Sequence, residues 1–173
     1  MTQFVALWRV AAAALLVSAC SVARADTAID RWHFASSEDG LVTASLPAVN
    51  KLTTGGGALS YSPTLTIACR TGNDPQWSEW LHLNDAVSAS RTITMAVTID
   101  QDEGFDERWS VAGRGKMLVK DGADAVRRLV PATQLLLSWR FGLLSGRGEA
   151  DFELAGVAGA ISRIASDCKT DPL

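Results

Sequence analysis

Histidine is almost missing from this chain: 173 residues contain only His33 and His82. Neither stands at a metal-ligand spacing from the other or from a cysteine, and neither HExxH nor a paired CxxC occurs. That excludes the common sequence-coded zinc sites. A lone histidine in a strand is usually a packing or surface residue. No GxSxG elbow is present, and Ser145, in GLLSGRG, reads as part of a hairpin loop. Gly142, Gly146 and Gly148 have the wrong spacing for a phosphate loop, and no GKS or GKT follows. The residues therefore nominate no catalytic group, no metal and no cofactor. A serine-histidine-acid triad is defined by geometry, so a hydrolase that brings His33 or His82 to an acid and a serine stays open.

Positive charge is also short. Lysine and arginine number 16 against 19 acids, a formal net charge of -3. No basic field points to a nucleic-acid partner. Repeats and low-complexity tracts are lacking. So is any apolar run of the roughly 20 residues that a membrane-spanning helix needs.

What is there begins with export. MTQFVALWR carries Arg9, and Val10 to Ala19 form an apolar run of about ten residues, the length of a signal-peptide core. Ala23-Arg24-Ala25 supplies a small-x-small cleavage site. We expect a signal peptide over residues 1–25 and one exported domain over 26–173. A rival reading is a lipobox at Val17-Ser18-Ala19-Cys20, which would leave Cys20 as the lipidated first residue and the only membrane tether. The expected location is periplasmic or secreted, or anchored to the envelope by lipid.

Either route leaves Cys69 and Cys168 as the remaining cysteines. In an oxidising compartment two such thiols most simply form a disulfide; the alternative is two unrelated buried thiols. Leu65, Ile67 and Cys69 alternate with Thr64, Thr66 and Ala68, as in a strand with one apolar face. Val157, Ile161, Ile164 and Cys168 recur at helical spacing after Gly156. The spacing predicts a terminal helix pinned to the inner face of the Cys69 strand.

Between them, RTITMAVTID alternates cleanly, with Ile93, Met95, Val97 and Ile99 on one face. ERWSVAG and GKMLV read as strands about Gly113-Arg114-Gly115, and QDEGFDE as a polar turn. NKLTTGGG reads as a loop. A short helix is expected from Ala123 to about Val130, limited by Pro131. QLLLSWRF and EADFEL read as a hairpin, with Ala150, Phe152 and Leu154 inward. The fold class expected is mainly β, sandwich-like or β-rich α+β, with two short helices and a disulfide from the C-terminal helix to an early strand.

Asp100, Asp102, Gly104 and Asp106 give DxDxGxD, but Gly104, Phe105 and Val111 stand where a calcium loop needs a ligand, a glycine and a closing glutamate. A solvated acidic turn is the simpler account. Among the tryptophans, Trp139 suits a core strand. Trp77 and Trp80, beside a glycine-proline turn, are candidates for a binding surface. They lie three apart, which predicts a bulge or turn in WSEWLHL.

The order PTLTIACR, RWSVAGRGKMLV, QLLLSW and ADFELAGVAGAISRIASDC resembles the VasI/TagO family of type VI secretion-associated exported proteins. The matching residues are Cys69, Trp109, Phe152, Leu154, Gly156 and Cys168, within Pro63 to Cys168. Ala112 to Arg114 depart from the family pattern. The resemblance implies a non-catalytic envelope accessory protein with a protein partner, and brings no catalytic residue. Two other readings remain: a secreted host-interaction or inhibitor protein, and the hydrolase above.

Overall fold

Apolar residues recurring at every second position cannot be buried by a helix, and they form strands here. The computed structural model describes residues 28–53, 57, 59–89, 91–143 and 146–172. The expected signal peptide and Cys20 lie outside the described residues. Eleven strands are described: β1 (His33–Ser36), β2 (Leu41–Pro47), β3 (Leu52–Thr53), β4 (Ser60–Tyr61), β5 (Thr64–Arg70), β6 (Gln76–His82), β7 (Thr92–Ile99), β8 (Phe105–Ala112), β9 (Met117–Asp121), β10 (Gln134–Arg140) and β11 (Arg147–Glu153). Two helices join them, α1 (Ala123–Arg127) and α2 (Val157–Cys168).

Nine strands make one sheet in the order β1-β2-β5-β6-β9-β8-β7-β10-β11, and every pairing is antiparallel. The sheet curls until its ends communicate. Val49, just past β2, donates its N–H to the Asp151 carbonyl at 2.7 Å. The Asn50 side chain donates to the Glu149 carbonyl and accepts from the Asp151 N–H, each at 2.8 Å. An amide side chain thus continues the ladder along β11, covering part of an edge that would otherwise expose unpaired backbone. Leu46, Leu65, Met95, Leu118, Leu135 and Phe152, from six different strands, meet in one core.

The terminal helix lies where its spacing predicts. Val157, Ala160, Ile161, Ile164 and Cys168 are its buried residues, and it packs on β2 and β5. There Val42, Ala44 and Leu46 stand opposite Cys69, Ile67 and Leu65. Each buried aliphatic side chain on that face contributes about 1.5–3 kcal/mol relative to exposure. Cys69 and Cys168 are joined in a disulfide, so the fold class is mainly β with two helices and a crosslink from strand to terminal helix.

Gly156 starts α2 at φ +82°, and a Cβ there would sit 2.7 Å from the carbonyl carbon and oxygen of Ala28. Both the left-handed backbone and the close approach require glycine. Gly156→Ala should lose about 1–3 kcal/mol of stability, read from the shift in a urea unfolding curve; an unchanged midpoint would refute this account.

Several local expectations are corrected. WSEWLHL contains no bulge: β6 keeps unbroken register with β5 from Gln76 to His82. Its two tryptophans simply face opposite ways. NKLTTGGG is not wholly loop, since Leu52 and Thr53 pair with Tyr61 and Ser60. QDEGFDE is shorter as a turn, because β8 starts at Phe105. α1 ends at Arg127, and Leu129, Val130 and Ala132 are held by bonds to the residue three before. The chain tightens there ahead of and through Pro131, which cannot donate to a helical ladder.

Candidate functional site

Residue parity on β6 decides where its polar groups go. Trp77, Glu79 and Leu81 share the inner face, opposite Cys69, Ile67 and Leu65 of β5. Trp77 is only 4% exposed and Glu79 is fully buried. A carboxyl on the core side of a strand needs partners, because its charged form is costly away from water.

The partners come from β8, β9 and the turn after α1. Arg128 donates one guanidinium nitrogen to Glu79 Oε2 at 2.8 Å and another to Glu107 Oε1. Glu107 also accepts from the Trp109 indole at 3.1 Å, and Lys120 Nζ lies 3.8 Å from its Oε2. Lys120 stands directly across from Glu79 in the β6–β9 ladder. The Arg128 guanidinium lies 5.8 Å from the centre of the Phe105 ring. Two carboxylates therefore share one arginine, 16% exposed, under a short helix. Glu79 Oε1 and Arg128 Nε are buried without a hydrogen-bond partner in the chain.

Burial pushes the Glu79 carboxyl up to about 7; the charge and hydrogen bond of Arg128 and the charge of Lys120 pull it down, while that of Glu107 adds to the rise. Burial lowers Arg128, but the charges and hydrogen bonds of Glu79 and Glu107 together hold it above its ordinary value. The cluster thus keeps its cation and can take or release a proton on Glu79 near neutrality. A cavity of about 380 Å³ adjoins it, with Phe105, Glu107, Lys120, Asp121, Asp124 and Arg128 in its wall.

Our sequence reading did not single out Glu79, Glu107 or Arg128. The available signal was Glu79 itself, a charge two residues from Trp77 and from Leu81 on one strand face. Expecting a bulge between the tryptophans hid that parity.

The residues nominated from sequence are dispersed. Trp77 is in the core, so it presents no surface to a partner: unbroken register turns its ring inward. Trp80 faces outward and is half-buried. Its indole donates to Ser78 Oγ at 2.7 Å, and His82 packs edge-on at 6.0 Å. Across the ladder stand Val119 and Met117 of β9, so the outer face carries a short aromatic and aliphatic stripe. Burial lowers the pKa of His82. His33 is exposed on β1, separated from β6 in the sheet by β2 and β5. Asp100 uses one carboxylate oxygen on Thr133 Oγ1, Thr133 N and Gln134 N, at 2.6, 2.8 and 2.9 Å. Those bonds lower its pKa, the Thr133 side chain most. The DxDxGxD acid therefore closes a turn against β10. Among the described residues no group of three or more metal-ligating side chains is gathered, and no helix is long and apolar enough to cross a membrane.

Cys69 and Cys168, 0% and 3% exposed, have Cα atoms 6.3 Å apart. No known family model and no curated protein matches the chain. A solved structure does. The chain shares its fold with invasion associated protein B from Bartonella henselae. The TM-score is 0.53 at 12% identity, over 79% of this chain and 92% of invasion associated protein B. At that identity the likeness concerns the fold.

Proposed function

We propose that this chain is a non-enzymatic accessory or binding protein of the cell envelope, exported and held in shape by its disulfide. The observation that carries this reading is the buried Cys69–Cys168 crosslink, since such bonds form and persist in oxidising compartments. The signal-peptide pattern of residues 1–25 agrees with it, and a lipid on Cys20 would be the alternative tether. The resemblance to VasI/TagO proteins supports service to an envelope machine of the type VI secretion kind. A second reading, a secreted protein acting on a host, is favoured by the fold shared with invasion associated protein B.

The partner-facing surface in this proposal is the outer stripe of Trp80, His82, Met117 and Val119. Half-exposed tryptophan is the residue type most enriched among energetic anchors of protein interfaces. In-cell crosslinking of the tagged protein, followed by mass spectrometry, tests the reading. Enrichment of envelope-machine proteins supports the accessory role. Recovery of the protein in the culture supernatant, with a host protein captured, supports the second reading. Trp80→Ala should weaken capture about ten-fold or more while the chain stays folded, with its circular dichroism spectrum retained. Undiminished capture would remove the stripe from the interface.

A further inference from the structure

The Glu79 cluster is covered by one short segment. α1 has five residues. At its start stands Gly122, at φ +113° with open space where a Cβ would lie. Its far end runs into the tightened turn that carries Arg128. Ala125, Val126 and Leu129 hold it down by burial. The Gly122 N–H donates to the Trp77 carbonyl at 2.9 Å, and Arg127 Nε donates to the Pro172 carbonyl at 2.9 Å. Beneath lies a carboxyl with one oxygen bonded by Arg128 and the other without a donor. The 380 Å³ cavity beside Arg128 is the nearest space from which water could reach it. We infer that α1 and Arg128 form a pH-sensitive lid over Glu79, seated while that carboxyl holds a proton and loosened when it ionises.

The sign follows from linkage. A state in which α1 has loosened gives Glu79 to water, where a carboxyl binds its proton at the ordinary strength of a glutamate, near pH 4.3. The seated state binds it more tightly, because burial raises its pKa to about 7. Protonation therefore favours the seated state. This contribution is whole below about pH 4.3 and is lost as the pH rises through 7. The charged groups facing Glu79 are Arg128 from the α1 turn, Glu107 from β8 and Lys120 from β9; its neighbour on β5, Ile67, is apolar. Arg128, held above its ordinary value by the charges of Glu79 and Glu107, stays cationic through this range.

Amide hydrogen exchange on the oxidised full chain reads the lid directly. Protection factors of residues 123–130 should fall roughly ten-fold or more between pH 5 and pH 8, by an opening insensitive to low urea, as expected for local motion. Global unfolding carries the same proton linkage, so insensitivity to urea separates the two. Glu79→Gln should abolish the pH dependence and keep α1 protected at pH 8. A flat profile in the unsubstituted chain, exchange of α1 only through global unfolding, or a fall that persists in Glu79→Gln would overturn the inference. Should that variant fail to fold, carbon NMR of the Glu79 carboxyl is set beside the exchange profile of the unsubstituted chain: a carboxyl midpoint near neutrality that coincides with the midpoint of α1 exchange supports the lid, and one in the ordinary carboxylate range, or apart from the exchange midpoint, overturns it.

Discussion

Replacing Cys69 and Cys168 together by alanine should lower the unfolding free energy by about 2–5 kcal/mol. The bond spans 99 positions, and a loop of that length restricts the unfolded chain by up to about 4.7 kcal/mol in the chain-entropy description. Net stabilities lie at roughly 5–15 kcal/mol, so the change is a large fraction of the whole. α2 should suffer first. Val157, Ile161 and Ile164 would still bind it to β2 and β5, but its last turn would lose its one covalent hold. Urea unfolding followed by circular dichroism measures the loss, and exchange of the α2 amides shows where it falls. A loss below about 1 kcal/mol would mean that the terminal helix is fixed by packing alone and that the crosslink serves another purpose.

This crosslink was also the most legible part of the fold. Strand alternation put Cys69 on an inner face, helical spacing put Cys168 on an inner face, and one bond between two faces is a strong constraint. The hairpin of β10 and β11 was equally clear, because Ala150, Phe152 and Leu154 alternate with acids. The curl that brings Asn50 to β11 was not legible, since nothing local marks an asparagine that will mimic a strand a hundred residues away. β3 and β4 escaped for a similar reason: two residues each carry no period. The charge cluster failed differently. Glu79 is written into an apolar strand face, but Arg128 and Glu107 come from elements that meet it only after the sheet has formed. Sequence shows the anomalous charge; only the fold supplies its partner.

Arg128→Met gives the second large effect and bears on the chemistry of the cluster. Removing one member of a buried ion pair strands the other, and such changes lose about 3–5 kcal/mol. Here two acids are stranded, since Glu79 and Glu107 both bond Arg128 and their side chains are 0% and 14% exposed. The loss should depend on pH. At pH 5 Glu79 is largely protonated, given a pKa raised to about 7 by burial, so losing its partner strands little charge there. At pH 8 Glu79 is largely ionised in the parent chain, and losing the arginine leaves that buried charge with Lys120 as its one remaining cationic neighbour in the cluster. The destabilisation should therefore be larger at pH 8 than at pH 5, in urea midpoints taken at both. Glu79→Met combined with Arg128→Met should recover part of the loss, because a wholly apolar replacement strands fewer charges. Equal losses at both pH values, with no recovery in the double variant, would mean that Arg128 acts through the packing of its side chain and not through its charge.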